Sequence, residues 1–341
     1  MTSQFDAAMH RALELALLGP IQGVNPQVGA VILNADNEIV AEGYHQGSGT
    51  NHAEVMAISA LKEKLGVSTF PLGHTAVVTL EPCNHTGKTG PCSRALLEAG
   101  ISRVVYAVAD PGQDSSGGGE FLRQSGVEVV AGVCEAEAEE QGRIWLTANR
   151  HGRPFVTLKW ASSLDGRSAA GDGTSKWISG EKSRSDGHLR RSEVDAILVG
   201  TGTVLADNPE LTARTADGGY FQHQPLRVII GERELSDTLR VFNDKAETLH
   251  LKTRNIQEAL AELFSRGVKH LWVEGGPNVA SEFVKLGLVD EFIIYLAPML
   301  LGGPRVALED IGVGSMAEAI DIEIVEQKLL DNDLFIRARR A

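Results

Sequence analysis

The sequence predicts two consecutive α/β domains. Three observations carry this reading. Apolar runs rich in Val, Ile and Leu alternate with helical patterns along the chain, the signature of sheets layered with helices. The chain has 341 residues, more than the roughly 250–300 at which a single core stops growing. A charged helical stretch over Glu135–Asn149 runs into His151-Gly152-Arg153-Pro154, and glycine followed by proline is a stop signal. The boundary is placed there, giving domains over 1–149 and 150–341.

In chain order, the first twenty residues, MTSQFDAAMHRALELALLGP, read as an amphipathic helix, because Asp6, His10, Arg11 and Glu14 interrupt the apolar positions. A secretory signal would instead open with basic residues and an unbroken apolar run. Strands are expected near Val28–Leu33, Ala76–Leu80, Val104–Val108 and Val127–Val130, and helices near Ala53–Lys64, Ser93–Ala99 and Cys134–Ala148. In the second half, strands are expected at Phe155–Ala161, Ala196–Val199, Arg227–Ile230, His270–Val273 and Glu291–Ala297. The tail, Ile322–Leu330 then Leu334–Ala338, reads as a hairpin pivoting on Asp331-Asn332-Asp333.

Composition narrows the function classes. The formal net charge of −13 argues against a nucleic-acid partner, which needs a broad basic surface. No stretch approaches the ~20 apolar residues of a membrane span. Cys83, Cys92 and Cys134 make no disulfide framework, so a cytoplasmic chain with reduced thiols is expected.

The strongest chemical signal is His52-Ala53-Glu54 followed by Pro82-Cys83 and Pro91-Cys92. A zinc deaminase needs three protein ligands, an open position for water, and a carboxylate that moves protons without binding the metal. His52, Cys83 and Cys92 fit the ligand roles and Glu54 the proton shuttle. Zinc lowers the pKa of a water it binds from ~16 toward ~7, which suits attack on a ring carbon bearing an amine. Cys92 opens a helical pattern behind a proline, a setting that favours a thiolate. Any one of these pieces alone is ordinary: a lone His-Ala-Glu is usually part of a helix, and two cysteines are usually buried thiols or a structural zinc site. Eight residues, Asn84 through Pro91, separate the two cysteines, where the usual deaminase spacing is two. That insertion brings His85 and Lys88 beside the expected metal.

At these residues the chain resembles the bifunctional riboflavin-biosynthesis deaminase–reductase family, the RibD type. Thr79-Leu80-Glu81-Pro82-Cys83-Asn84-His85-Thr86-Gly87-Lys88-Thr89-Gly90-Pro91-Cys92 looks like the family's zinc segment, and Asn25-Pro26-Gln27-Val28-Gly29 like its early substrate-binding turn. Gly43-Tyr44-His45 matches its next block. The resemblance implies a cytidine-deaminase-like three-layer α/β/α first domain, in which Asn25, His45, His85 and Lys88 contact the substrate.

The second half holds two glycine turns after strands: Gly200-Thr201-Gly202-Thr203 and Gly275-Gly276-Pro277-Asn278. Glycines let a backbone approach a pyrophosphate, but Leu205 spoils the first as a full Gly-x-Gly-x-x-Gly, and each alone is weak. Here too the chain resembles the family: Lys159-Trp160-Ala161-Ser162-Ser163-Leu164-Asp165-Gly166, Trp177-Ile178-Ser179-Gly180, His188-Leu189-Arg190-Arg191, and the run from Asp195 to Arg214 look like its reductase domain. The resemblance implies a dihydrofolate-reductase-like fold. It also implies substrate contacts from Ser175, Arg191, Leu211, Arg214 and Glu274, and NADPH contacts from Ala161, Trp177, Thr203, Asp207 and the turn Gly276, Pro277 and Asn278. Two arginines suit one phosphate, and an indole suits a flat cofactor ring. By residue type alone Arg191 would read as a solvated helix charge and Trp177 as a core aromatic.

The expectation is therefore an enzyme with two cofactors, Zn2+ and NADPH, acting on a small pyrimidine ribose-phosphate. Its first step is the hydrolytic loss of an amine, and its second the reduction of the ribosyl group to ribityl. A homo-oligomer, dimer or tetramer, is expected for such reductase domains. The main rival is a single-activity pyrimidine, purine or tRNA deaminase with a non-catalytic C-terminal domain. A zinc-stabilised binding module is a third possibility, which Glu54 argues against because a structural zinc needs no proton carrier.

Overall fold

The computed structural model describes residues 4–71, 73–85, 90–112 and 114–341. The chain divides into two compact units, Met1–Gly152 and Arg153–Ala341. The division falls three residues past the boundary read from the sequence. The last helix of the first unit, Glu135–His151, runs on until Gly152 caps it at φ 63°, a left-handed conformation that glycine adopts at little cost.

The first unit is built on a sheet of β1 (Gly29–Leu33), β2 (Ile39–Tyr44), β3 (Thr75–Leu80), β4 (Arg103–Val108) and β5 (Glu128–Ala131). Their spatial order is β2-β1-β3-β4-β5. β1 runs antiparallel to both neighbours, and β3, β4 and β5 are parallel. The period-two alternation of a strand sends successive side chains to opposite faces. Ala30, Ile32, Ala76, Val78 and Val104 pack on one face under α2 (Ala53–Leu65), α3 (Cys92–Glu98) and α4 (Gly118–Gln124). Val31, Leu33, Val77 and Val105 pack on the other under α1 (Asp6–Ala16) and α5 (Glu135–His151). The result is a three-layer α/β/α unit with a core on each side.

One glycine fixes where the chemistry sits. A Cβ on Gly43 of β2 would lie 2.4 Å from the Ala53 carbonyl oxygen and 2.6 Å from the Ala57 nitrogen. The bare backbone lets α2 lie directly on the strand, and the first turn of α2 carries His52 and Glu54.

The second unit is an eight-stranded sheet in the order β12-β13-β11-β6-β10-β7-β8-β9. Its parallel strands are β6 (Phe155–Ser163), β7 (Ala196–Gly200), β8 (Leu226–Ile230), β9 (Thr248–Leu251), β10 (His270–Val273) and β11 (Glu291–Ala297). Except for the edge strand β9, which is only partly buried, they read as largely apolar runs because both faces are covered. Val156, Leu158, Leu198 and Val228 meet α8 (Ile256–Ser265) and α9 (Pro277–Lys285). Ile197, Val199, Trp272, Tyr295 and Phe335 form the opposite core. Two further helices, α6 (Glu181–Arg191) and α7 (Thr201–Asp207), complete the unit. The sheet ends in the antiparallel hairpin β12 (Ile322–Leu330) and β13 (Asp333–Arg340).

The hairpin turn is tighter than the sequence suggested. Leu330 pairs with Asp333, so the turn is Asp331-Asn332 alone, with Asp331 at φ 55°. Asp333 lies inside the strand and is buried. Its carboxylate accepts bonds from the Gly180 N–H and the Ser183 hydroxyl, each at 2.6 Å. Among the described residues no helix is long and apolar enough to cross a membrane.

Candidate active sites

The first site forms where three loops meet at the α2 and α3 ends of the first sheet. His52 is the N-cap of α2, Cys83 follows β3, and Cys92 is the first residue of α3. Their ligand atoms lie within 4.8 Å of one another. His52 Nδ1 is 3.2 Å from Cys92 Sγ and 3.6 Å from Cys83 Sγ, and the Cys92 N–H points at Cys83 Sγ from 3.4 Å. Ligands at zinc's bond lengths sit roughly 3.5–3.8 Å apart around a tetrahedron, so this donor set fits three corners of a zinc site, and among the described residues no fourth ligand joins it. The two thiols lie side by side and shift in opposite directions. The Cys92 S–H, and then His52, lower the Cys83 thiol. Cys92 moves up, first because its proton bonds the Cys83 sulfur and then through burial.

Glu54 points into the same cavity from the first turn of α2 and is buried. Burial, then the Cys83 thiolate, pushes its carboxyl up to about 7. The cavity, about 300 Å³, is also lined by Asn25, His45 and His85. Asn25 Nδ2 and His45 Nε2 are 2.8 Å apart. Because an amide nitrogen only donates, the His45 proton sits on Nδ1, which faces the Asn51 carbonyl at 3.2 Å. Burial lowers the His45 pKa and keeps the ring neutral. His85 Nδ1 is buried without a partner among the described residues. Lys88, the remaining expected substrate contact, lies outside the described residues.

Several cavity residues escaped the sequence reading, Ser115 and Trp145 among them. Glu81, quoted only as part of a motif, braces the site, its carboxylate accepting the Asp110 N–H at 3.1 Å and the Gly119 N–H at 2.8 Å.

The second site is a cleft of about 1530 Å³ along the C-terminal ends of β6, β10, β7 and β8. Ser175, Arg191, Arg214 and Glu274 line it, as do Ala161, Trp177, Thr203, Asp207, Gly276, Pro277 and Asn278. The two glycine turns meet there, with the Gly276 N–H donating to Thr203 Oγ1 at 3.1 Å. A Cβ on Gly275 would lie 2.7 Å from Val279, so the turn stays bare, as the close approach of a cofactor diphosphate requires. The residues present fit a dinucleotide.

The charged end of the cleft is organised differently from the expectation. Arg191 is partly buried and spends Nε and Nη2 on the Glu274 carboxylate, at 2.7 and 2.8 Å, and Nη1 on the Thr212 carbonyl. It is neither a solvated helix charge nor a fork free to grip a phosphate. The Trp272 indole N–H also reaches Glu274, at 2.6 Å, and Lys159 Nζ lies 3.7 Å away. Against burial, which would raise it, Arg191 and then Lys159 hold the Glu274 carboxyl well below the usual carboxylate range. Arg214 is the freer guanidinium: Nη2 meets His188 Nε2 at 3.1 Å, and its buried Nε has no partner among the described residues. His188 Nδ1 faces the Thr212 carbonyl, and burial, then Arg191 and Arg214, lower its pKa to about 4. Leu211 does not line the cleft, because its apolar side chain is buried in the core at φ 56°. The Asn278 amide donates to the Glu309 carboxylate. Trp177, far from being a core aromatic, is 66 % exposed, with the Arg184 guanidinium 4.7 Å above its ring.

A deaminase-type metal site in one α/β unit and a glycine-lined dinucleotide cleft in another define a two-domain enzyme of the hydrolase–reductase class. Residues 2–108 match the cytidine and deoxycytidylate deaminase zinc-binding region, and residues 154–335 match the RibD C-terminal domain. The riboflavin biosynthesis protein RibD of Mycobacterium tuberculosis is 46 % identical, covering 91 % of this chain and 90 % of its own. That of Escherichia coli is 36 % identical, covering 96 % of each. Among solved structures, RibD of Acinetobacter baumannii is 34 % identical with a TM-score of 0.88, and a deaminase/reductase of Thermotoga maritima is 35 % identical with a TM-score of 0.82. Each covers 99 % of both chains. The chain belongs to the RibD family of riboflavin biosynthesis proteins.

Proposed function

We propose that the chain catalyses two consecutive steps of riboflavin synthesis. Its first unit hydrolytically deaminates 2,5-diamino-6-(5-phosphoribosylamino)pyrimidin-4(3H)-one. Its second unit reduces the ribosyl group of 5-amino-6-(5-phosphoribosylamino)uracil to ribityl with NADPH. The observation that carries the first step is Glu54 buried in one small cavity with His52 and Cys83, while Cys92 closes the ligand set from behind.

His52, Cys83 and Cys92 would hold the zinc ion, which when bound supplies Lewis acidity at neutral pH. Glu54, buried and already raised toward neutrality, takes the water proton and returns it to the ring nitrogen and the leaving ammonia. The Asn25–His45 pair presents a fixed donor and acceptor pattern to the ring edge. His85 and Lys88 are proposed to meet the ribose phosphate.

In the second unit Thr203, Asp207 and the turn Gly276-Pro277-Asn278 are proposed to hold the cofactor, with Ala161 and Trp177 beside its nicotinamide end. NADPH when bound would supply a hydride for ribose C1′; the C1′–O4′ bond breaks and a proton goes to O4′. Lys159 reaches into the cleft beside Glu274 and is the group placed to give that proton. Arg214 and Ser175 remain open to the substrate, while Arg191 and Glu274 act by holding Lys159 and each other.

Three unpaired cysteines suit the reducing cytoplasm. Self-association belongs to the same proposal: β12 is an edge strand with Ile322, Ile324 and Leu329 exposed, and sedimentation velocity counts the subunits. The test of the two-unit assignment is chelation. Stripping zinc with dipicolinate abolishes ammonia release and leaves NADPH oxidation on the deaminated substrate intact. Loss of both together would contradict separate sites.

A further inference from the structure

The cavity of the first unit has an aromatic wall with no role in the chemistry above. Among the described residues that line it, Trp145 is the one aromatic carbocycle. It comes from α5, on the opposite face of the sheet from the helices that carry the metal ligands. The indole packs against the apolar cluster that contains Ala138 and Leu146. Its Nε1–H donates to the Val24 carbonyl at 2.9 Å, and Val24 and Asn25 line the same cavity. The ring is therefore fixed in orientation. Its only polar atom is already satisfied, so it offers the cavity carbon surface alone.

The other named groups are polar: Asn25, His45, Glu54 and His85. A planar pyrimidine has polar edges and apolar faces, and pockets for such rings cover the faces with aromatic or apolar side chains. We infer that Trp145 is the ring-face wall of the cavity, packing on the pyrimidine and setting specificity for a planar ring. The inference rests on the deaminase reading of this site.

The test uses the full-length zinc enzyme labelled with 5-fluorotryptophan. The 19F resonance that vanishes in Trp145→Phe belongs to Trp145. It is expected to shift on titration with 5-amino-6-(5-phosphoribosylamino)uracil, the deaminated pyrimidine. In ammonia-release kinetics Trp145→Ala is expected to raise KM by about tenfold or more, the scale of one lost base-stacking contact, with kcat within about twofold. Trp145→Phe is expected to restore most of the KM, and Trp145→Leu, which keeps bulk without an aromatic face, to restore less. A Trp145 resonance that does not move at saturating pyrimidine overturns the inference. So does an unchanged KM in Trp145→Ala, or Trp145→Phe as impaired as Trp145→Ala, which would assign the effect to the Val24 tether. Absence of ammonia release from the wild-type enzyme would instead overturn the deaminase reading, while the resonance still reports whether the wall meets a pyrimidine.

Discussion

Arg191 and Glu274 pair in the cleft of the second unit, both only partly exposed, with two guanidinium nitrogens on the two carboxylate oxygens at 2.7 and 2.8 Å. Lys159 and the Trp272 indole complete the set around the same carboxylate. Removing one partner of a buried pair leaves the other charge uncompensated, which costs roughly 3–5 kcal/mol. Glu274→Gln should therefore lower the unfolding free energy of the second unit by about that amount and abolish NADPH oxidation. Ammonia release should survive, and thermal unfolding with both assays in parallel checks all three outcomes. Arg191→Lys should not rescue, because a lysine cannot make the bidentate fork.

Lys159→Ala should remove the proton donor without emptying the cofactor turns. NADPH oxidation is expected to fall by about 10²–10⁴, the usual contribution of general acid catalysis. NADPH binding, followed by fluorescence, should change little. A variant that turns over normally would return the proton to another group.

Glu54→Gln keeps a similar shape at the metal site and removes the proton carrier. Zinc content by atomic absorption should be unchanged and ammonia release should fall to background, while the second unit still reduces the deaminated substrate. Zinc loss in this variant would contradict the role assigned to Glu54.

His188 ties stability to pH. Its folded pKa is lowered to about 4, below the ordinary value near 6.5. Between these values the unfolded chain binds the extra proton, so stability is full above about pH 6.5 and declines as pH falls toward 4. His188→Gln should flatten that part of the stability profile measured by urea unfolding. An unchanged slope would place the acid sensitivity elsewhere.

The zinc set was legible because its ligand types come in two short segments whose spacing carries the chemistry. The alternating layers were legible wherever strands are buried on both faces, as in Val104–Val108. The edge strands β2 and β9 were not, because they are only partly buried and lose the apolar run that marks a covered strand. α4 hid behind a glycine-rich start, and those glycines serve packing: a Cβ on Gly118 would lie 1.8 Å from the Pro82 carbonyl oxygen. Residue type misled at Arg191 and Trp177, whose environments are set by partners far along the chain. Glu274 is 83 residues from Arg191 and Val24 is 121 from Trp145, and no local pattern announces such pairs. The Leu211 side chain sits in the core, a placement that a motif match does not reveal.

The most direct measurement follows ammonia and NADPH together on the diaminopyrimidinone ribosylamine phosphate. Two units working in sequence predict that ammonia appears first and that NADPH consumption follows with a lag, reaching one equivalent of each per substrate. Ammonia release with NADPH untouched would contradict the second activity and reduce the chain to a deaminase.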